Sequence, residues 1–267
     1  MFLLSRMLKP LARALLVSGD RTRIRWGVCQ GSFLPYSIAS EYISMIIGRY
    51  EPEIESKLAE LCGDVQVAYD LGAHVGFLSL VLARSLPDEG GEVHAFEPSP
   101  PELAKLRELV ACNDLADRLR VHEIAVCDTV GKLSFNMGSG STTGILDKVS
   151  KPRHRENRQA IEVEATTLDE FVGREGIRPP DVIKVDVEGA EATVMKGASK
   201  VLSELRPKLV VEVHGPNPCR DTIEVLLQHS YQVSLLSDQQ AEVTEPDSLR
   251  HLFKKGKWTY HLVALPS

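Results

Sequence analysis

The chain has no closely spaced cysteine pair. Its five cysteines (Cys29, Cys62, Cys112, Cys127 and Cys219) are scattered and odd in number. That excludes a C-x-x-C zinc knuckle and argues against a disulfide framework; reduced thiols in a cytoplasmic compartment are expected. Positive charge is not in excess either. The 31 Lys and Arg face 37 Asp and Glu, for a formal net charge of −6, so bulk attraction to a nucleic-acid backbone is excluded as a source of binding. No uncharged run approaches the roughly 20 apolar residues that span a bilayer. The apolar stretch over residues 1–17 is broken by Arg6, Lys9 and Arg13, whereas a secretory signal carries its charges ahead of the apolar run. The spacing of Leu4, Leu8, Leu11 and Leu15 predicts an amphipathic helix there, either packed on the domain or making peripheral contact with a membrane surface. Internal repeats and low-complexity tracts are absent.

A dinucleotide fingerprint, G-x-G-x-x-G, is missing as well. In its place, after an apolar run, stands Asp70-Leu-Gly-Ala-His-Val-Gly76, with Gly72 and Gly76 four positions apart and His74 where a pyrophosphate loop wants glycine. The pattern reads as strand, tight turn, helix start. Glycine permits the turn and a close backbone approach, and the helix N-terminus offers N–H donors to a carboxylate. The next apolar run ends in Glu97, where a carboxylate can accept both hydroxyls of a ribose. A nucleoside cofactor without phosphates fits this layout, and S-adenosylmethionine (SAM) is the expected one. The third apolar run ends at Ala125-Val-Cys-Asp128, where an adenine edge would lie; an ordinary turn aspartate is the other reading.

From residue 65 onward strands and helices alternate. Strands are expected at 66–71, 92–97, 119–125, 182–187 and 208–214, and helices at 75–86, 100–112, 189–204 and 219–229. Runs of this kind predict parallel strands buried on both faces in a doubly wound, Rossmann-like α/β sheet. Residues 1–64 are expected to form an N-terminal helical extension or cap, with a helix over Glu53–Cys62 ended by Gly63, and 65–267 the main domain. Two alternating runs at 132–137 and 161–166 predict a hairpin inserted over about 131–166, around a long loop that turns basic at 148–158. Runs at 232–236 and 258–265, with no clear helix between them, predict a final antiparallel insertion.

The fourth strand is unusual. Lys184, Asp186 and Glu188 recur with period two and so share a face, where a central parallel strand should be apolar. The fifth strand repeats this with Glu212 and His214. Buried charges are costly unless they are paired or functional, so the two strands are expected to line a cavity at the carboxyl end of the sheet. There Lys184, Asp186 and His214 are candidate catalytic groups, with His214 a general base. Alternatively Asp186, Glu212 and His214 hold a divalent cation such as Mg²⁺ that acidifies a hydroxyl. The plain reading is a Lys184–Glu212 ion pair beside a hydrogen-bonded histidine.

Taken together, Gly48-Arg-Tyr-Glu51, the Asp70–Gly76 turn, Phe96-Glu-Pro98, Thr167-Leu-Asp169, Ile183-Lys-Val-Asp-Val-Glu-Gly-Ala-Glu191 and Glu212-Val-His214 resemble the FkbM family of SAM-dependent methyltransferases. The resemblance covers about residues 48–215. It implies a class I methyltransferase fold, with a mostly parallel seven-stranded sheet and an antiparallel C-terminal strand. It also implies O-methylation of a hydroxyl on a sugar, glycan or secondary metabolite, and cofactor contacts at Asp70, Gly72, Ala73, Gly76, Glu97, Pro98, Ala125, Asp128 and Asp186. His74 departs from the family, which more often has Asn. Tyr50 and Glu51 either close over the cofactor or pack on the first helix. The rival readings are a nicotinamide-dependent oxidoreductase, which the glycine spacing opposes, a methyltransferase acting on nucleic acid or protein through the basic loop, and a non-catalytic SAM-binding module.

Overall fold

The computed structural model describes residues 13–137, 144–146, 159–255 and 257–267. The basic loop at 148–158 and the first twelve residues of the leucine stripe lie outside these. In chain order the strands are β1 (Arg21–Arg23), β2 (Phe33–Pro35), β3 (Val67–Leu71), β4 (Glu92–Phe96), β5 (Leu119–His122), β6 (Ala125–Val126), β7 (Gly131–Met137), β8 (Gly144–Leu146), β9 (Gln159–Thr166), β10 (Val182–Val185), β11 (Lys208–His214), β12 (Tyr231–Leu235), β13 (Asp238–Val243) and β14 (Thr259–Pro266). The helices are α1 (Tyr36–Ala39), α2 (Ile43–Ile46), α3 (Pro52–Leu61), α4 (Phe77–Ser85), α5 (Pro100–Cys112), α6 (Leu168–Val172), α7 (Glu191–Lys196) and α8 (Pro216–Gln228).

The main sheet runs β13-β12-β14-β11-β10-β3-β4-β5. Strands β11, β10, β3, β4 and β5 are parallel to one another. β14 lies antiparallel between β11 and β12, as the two final apolar runs predict. The sheet has eight strands where seven were expected, because residues 238–243 fold back on β12 as an edge hairpin. That segment, Asp-Gln-Gln-Ala-Glu-Val, carries almost no apolar periodicity to announce a strand.

Successive residues of each strand enter two different cores, as the period of two requires. Val67, Tyr69, Leu71, Ile183, Val185, Leu209 and Val211 face α6, α7 and α8. Ala68, Val182 and Val210 face the other way, into a core shared with α3, α4, α5 and the N-terminal residues Ile24, Leu34, Ile38, Met45 and Ile46. Helix α4 is buried from Phe77 to Ala83, so it needs no polar stripe. Each fully buried Leu, Ile or Val stabilises by about 1.5–3 kcal/mol, and the N-terminal segment thereby becomes one wall of the molecule.

Two expectations are corrected. The third strand stops at His122, not 125; Ala125–Val126 belongs to a second sheet, ordered β6-β9-β7-β8, which contains the expected hairpin. The helix expected over 189–204 is broken: α7 ends at Lys196, and a π-helical turn follows at Val201–Leu205. Gly197 stands at the break because a Cβ there would collide with the Cys127 carbonyl. That long-range contact is invisible to local periodicity.

Candidate active site

The turn after β3 is built by the protein's own packing. Gly72 has φ +79, and a Cβ on it would strike the Asp186 carbonyl; Gly76 has φ +86, and a Cβ there would meet Leu106. Both glycines therefore answer to neighbouring backbone and helix, while also leaving the turn bare. His74 has φ +52, a left-handed conformation in which Asn, Asp and His are enriched over other non-glycine residues. The backbone accounts for its place: its N–H donates to Glu97 Oε2 at 2.8 Å. Its ring stands edge-on to Tyr42.

Glu97 directly follows β4, is 6% exposed, and also accepts from the Ser99 N–H at 2.8 Å through Oε1. Burial pushes its carboxyl up to about 7 against those two donors. Each carboxylate oxygen keeps a further lone pair, which suits a ribose diol. Ala73 is buried and tied by its N–H to the Phe96 carbonyl at 2.9 Å; Pro98 follows Glu97, half-buried.

Asp70 and Lys184 occupy the floor of the site. Asp70 is 0% exposed; Ser79 donates to its Oδ2 at 2.6 Å, and the Lys184 ammonium sits 2.9 Å from Oδ1. Lys184 also donates to the Gly72 carbonyl at 2.8 Å and lies 3.7 Å from Asp186. Burial opposes its charge, but Asp70 and Asp186 hold its pKa above the usual lysine value. The plain reading of a Lys184–Glu212 pair is thus replaced by Lys184–Asp70, because Asp70 is its register partner on β3. Both groups act on the turn from beneath.

Asp186, Glu188, Glu212 and His214 do converge. β10 ends at Val185, so Asp186 and Glu188 stand in the following turn, Glu188 with φ +52. His214 Nδ1 is 2.8 Å from Glu191 Oε1, which also accepts from the Gly189 N–H at 2.7 Å. With Nδ1 so held, Nε2 faces Glu188 at 3.5 Å, Glu212 at 3.7 Å and Asp186 at 3.8 Å. Burial opposes a charged His214, yet Glu191, Glu188 and Asp186 outweigh it and raise the imidazole to about 9. Burial pushes Asp186 up and Glu188 to about 7. Burial works the same way on Glu212, but His261, 3.1 Å from its Oε2, leads the groups that hold it below the usual range. Single ligand atoms of Asp186, Glu212 and His214 all lie within 4.8 Å of one another, so the expected cation set is geometrically compact.

The N-terminal wall closes this end. Tyr50 packs edge-on against Phe77, centroids 5.3 Å apart, so it does sit on α4, the helix after β3, while Glu51 feels Glu212 and Asp186. Burial first, and those two carboxylates next, push Glu51 up to about 7. Ala125 lies in a small separate core with Ala190, and Val187 packs against it; Asp128 is exposed and accepts from Thr129 Oγ1 at 2.9 Å. Thr167 caps α6, and Asp169 binds the N–H groups of Lys200 and Val201, so this motif is a structural clamp. Glu191, His261, Ser79 and Ser99 escape the sequence reading. Glu191 lies inside a quoted motif; His261 enters only through its pairing with Glu212 across β11 and β14.

The ligating groups decide what this cluster can hold. Glu51, Asp186, Glu188 and Glu212 surround it, with the Lys184 ammonium already spent on Asp70, Gly72 and Asp186. The carboxylates outnumber the single His214 imidazole, so a sulfonium or ammonium cation matches this cluster better than a pyrophosphate. The strand order, with β14 antiparallel between β11 and β12, is that of a class I methyltransferase fold. A solved structure of an O-methyltransferase from Bacillus cereus, in complex with SAH, shares the fold with a TM-score of 0.51 at 13% identity, over 82% of each chain.

Within that class the chain belongs to the FkbM methyltransferase family: the model described as "Methyltransferase FkbM domain" matches residues 70–233. Among curated proteins it is similar to the 2-O-methyltransferase NoeI of Sinorhizobium fredii, 27% identical over 43% of this chain and 51% of that protein. It is also similar to the hexuronic acid methyltransferase AglP of Haloferax volcanii, 26% identical over 67% of this chain and 68% of that protein. No helix among the described residues is long and apolar enough to cross a membrane.

Proposed function

We propose that the protein methylates a hydroxyl oxygen on a sugar, glycan or secondary metabolite, with the acceptor bound over the Asp186–Glu212–His214 cluster. The observation that carries this reading is His214 Nε2, aimed into the pocket while Glu191 holds the other ring nitrogen. The names of NoeI and AglP support an oxygen acceptor and a sugar acid respectively.

When bound, SAM supplies a methyl group activated on a positively charged sulfur. The residues do the rest. Glu97 accepts the ribose hydroxyls, and the bare Gly72–Gly76 turn lets backbone approach the ligand. The carboxylates of Glu51, Asp186 and Glu188 favour positive charge nearby. His214 takes the acceptor proton at Nε2, and Glu191 stabilises the resulting imidazolium. A cation bound beside the cluster lowers the His214 pKa from its raised value, freeing the neutral base.

The compact ligand set favours a second reading, in which a divalent cation sits on Asp186, Glu212 and His214. A carboxylate behind the distal ring nitrogen, here Glu191, is the usual support of a metal-bound histidine. His214→Ala tests both: turnover is expected to fall about 10²–10⁴-fold with SAM affinity kept within a few-fold. Unchanged turnover in this variant rules out both roles. Loss of wild-type activity in chelator, restored by Mg²⁺, favours the cation over the free base.

A further inference from the structure

Among the described residues, the N-terminal segment gathers exposed arginines and aromatic side chains. Residues 1–50 hold seven Lys and Arg against two Asp and Glu, and the remaining chain 24 against 35. Such segregation marks a surface for an anionic partner. On β1 and its extension, Thr22 and Ile24 point inward while Arg21, Arg23 and Arg25 are exposed, so strand alternation lines three guanidinium groups along one solvent face. Arg21 stacks over Phe33, 4.3 Å from its centroid. Next to it Arg13 lies over the Tyr36 ring and donates to its hydroxyl at 3.0 Å. Among the described residues none of Arg13, Arg21, Arg23, Arg25 and Arg49 has a carboxylate within ion-pair distance.

Apolar groups accompany the charge. Among the described residues, Leu15 (72% exposed), Trp26 (55%) and Tyr36 (50%) are three of the seven exposed large hydrophobic side chains, and all fall within this segment. Aromatic side chains with a polar edge, set among arginines, suit the boundary between headgroups and acyl chains. A long nucleic acid would meet the acidic remainder of the molecule, whereas a bilayer touches one face alone. The backbone fixes the patch firmly: Arg25 donates its N–H to the Ile46 carbonyl at 2.9 Å, and Gly48, at φ +59, packs on the Trp26 carbonyl.

We infer that the face formed by Arg13, Arg21, Arg23, Arg25, Trp26 and Tyr36 docks on the surface of an anionic lipid bilayer. This inference is independent of the acceptor assigned above.

The test is co-sedimentation of the full chain with phosphatidylcholine vesicles, with or without a quarter of phosphatidylglycerol, together with tryptophan emission. Binding to the anionic vesicles alone is expected, weakened by salt, with a blue shift that W26F abolishes. The R21E/R23E/R25E variant should lose binding at least tenfold while keeping its melting temperature and its thermal shift with S-adenosylhomocysteine. R21Q/R23Q/R25Q, which adds no negative charge, should lose it in part. Equal binding to neutral vesicles, absence of binding to either, or full binding by both arginine variants overturns the inference. So does arginine-dependent binding of RNA in place of vesicles.

Discussion

The Lys184 ammonium lies 2.9 Å from the carboxylate of Asp70, its register partner on the adjacent strand, with both groups almost wholly out of water. Removing one member leaves an uncompensated buried charge, at a cost of about 3–5 kcal/mol. K184M and D70N should each lower stability by roughly that amount in urea unfolding, and the Gly72–Gly76 turn should loosen. An apolar double variant, K184M/D70L, should recover part of the loss. Single variants as stable as the wild type would show that the pair holds nothing.

Glu97 should make cofactor binding sensitive to pH. Burial raises its carboxyl to about 7 from the ordinary value of about 4.5. Between these values the fold holds a proton that the unfolded chain has lost, so this group's contribution to stability falls as pH rises from about 4.5 to 7. Hydroxyl donors favour the ionised form, so affinity for S-adenosylhomocysteine should strengthen as pH rises through 7. E97Q should bind at least tenfold more weakly and with a flat pH profile, measured by calorimetry. A wild-type profile equally flat contradicts the assignment.

Glu191 acts through His214. It is completely buried and takes the Nδ1 hydrogen bond, so E191Q should lower kcat about 10–100-fold, the range typical of groups that orient a functional histidine. KM and cofactor affinity should hold, and E191D should restore part of the rate. A loss confined to KM would reassign Glu191 to binding.

Across β4 and β5, His94 stacks on His122 with ring nitrogens 3.0 Å apart, among Tyr69, Phe96 and Phe171. Burial, with His94 next, lowers His122 to about 4. Its ordinary value is 6.5, so between 6.5 and 4 the unfolded chain binds a proton that the fold refuses. Stability from this group is complete above about 6.5 and is lost as pH falls through about 4, amounting to about 2 kcal/mol once partial solvent exposure is allowed for. In H122N the slope of stability against pH between 6.5 and 4 should flatten; an unaltered slope would place the acid sensitivity elsewhere.

Much of this arrangement is legible in the sequence because it is periodic or local. The parallel strands announce themselves as apolar runs, Glu97 by ending one of them, and the cluster by charges at period two. What local pattern does not reach is contact between distant segments. Gly72 looks like a ligand glycine, yet a Cβ there would strike Asp186 more than a hundred positions away. Gly197 interrupts an otherwise helical stretch for the sake of Cys127. Asp70 and Lys184 read as site residues, and only strand register discloses that they neutralise each other. Likewise His261 becomes visible once β14 is known to lie beside β11, with Glu212 opposite.

That placement of β14 sets an order of assembly. β11 and β12 share no edge of their own and are joined only by a strand that enters between them from far along the chain, so the loop from His214 to Thr259 must close before His261 can reach Glu212. Non-local closure of this kind is slow. The contact between His261 and Glu212 is thus the one in this cluster that waits on the whole segment from His214 to Thr259.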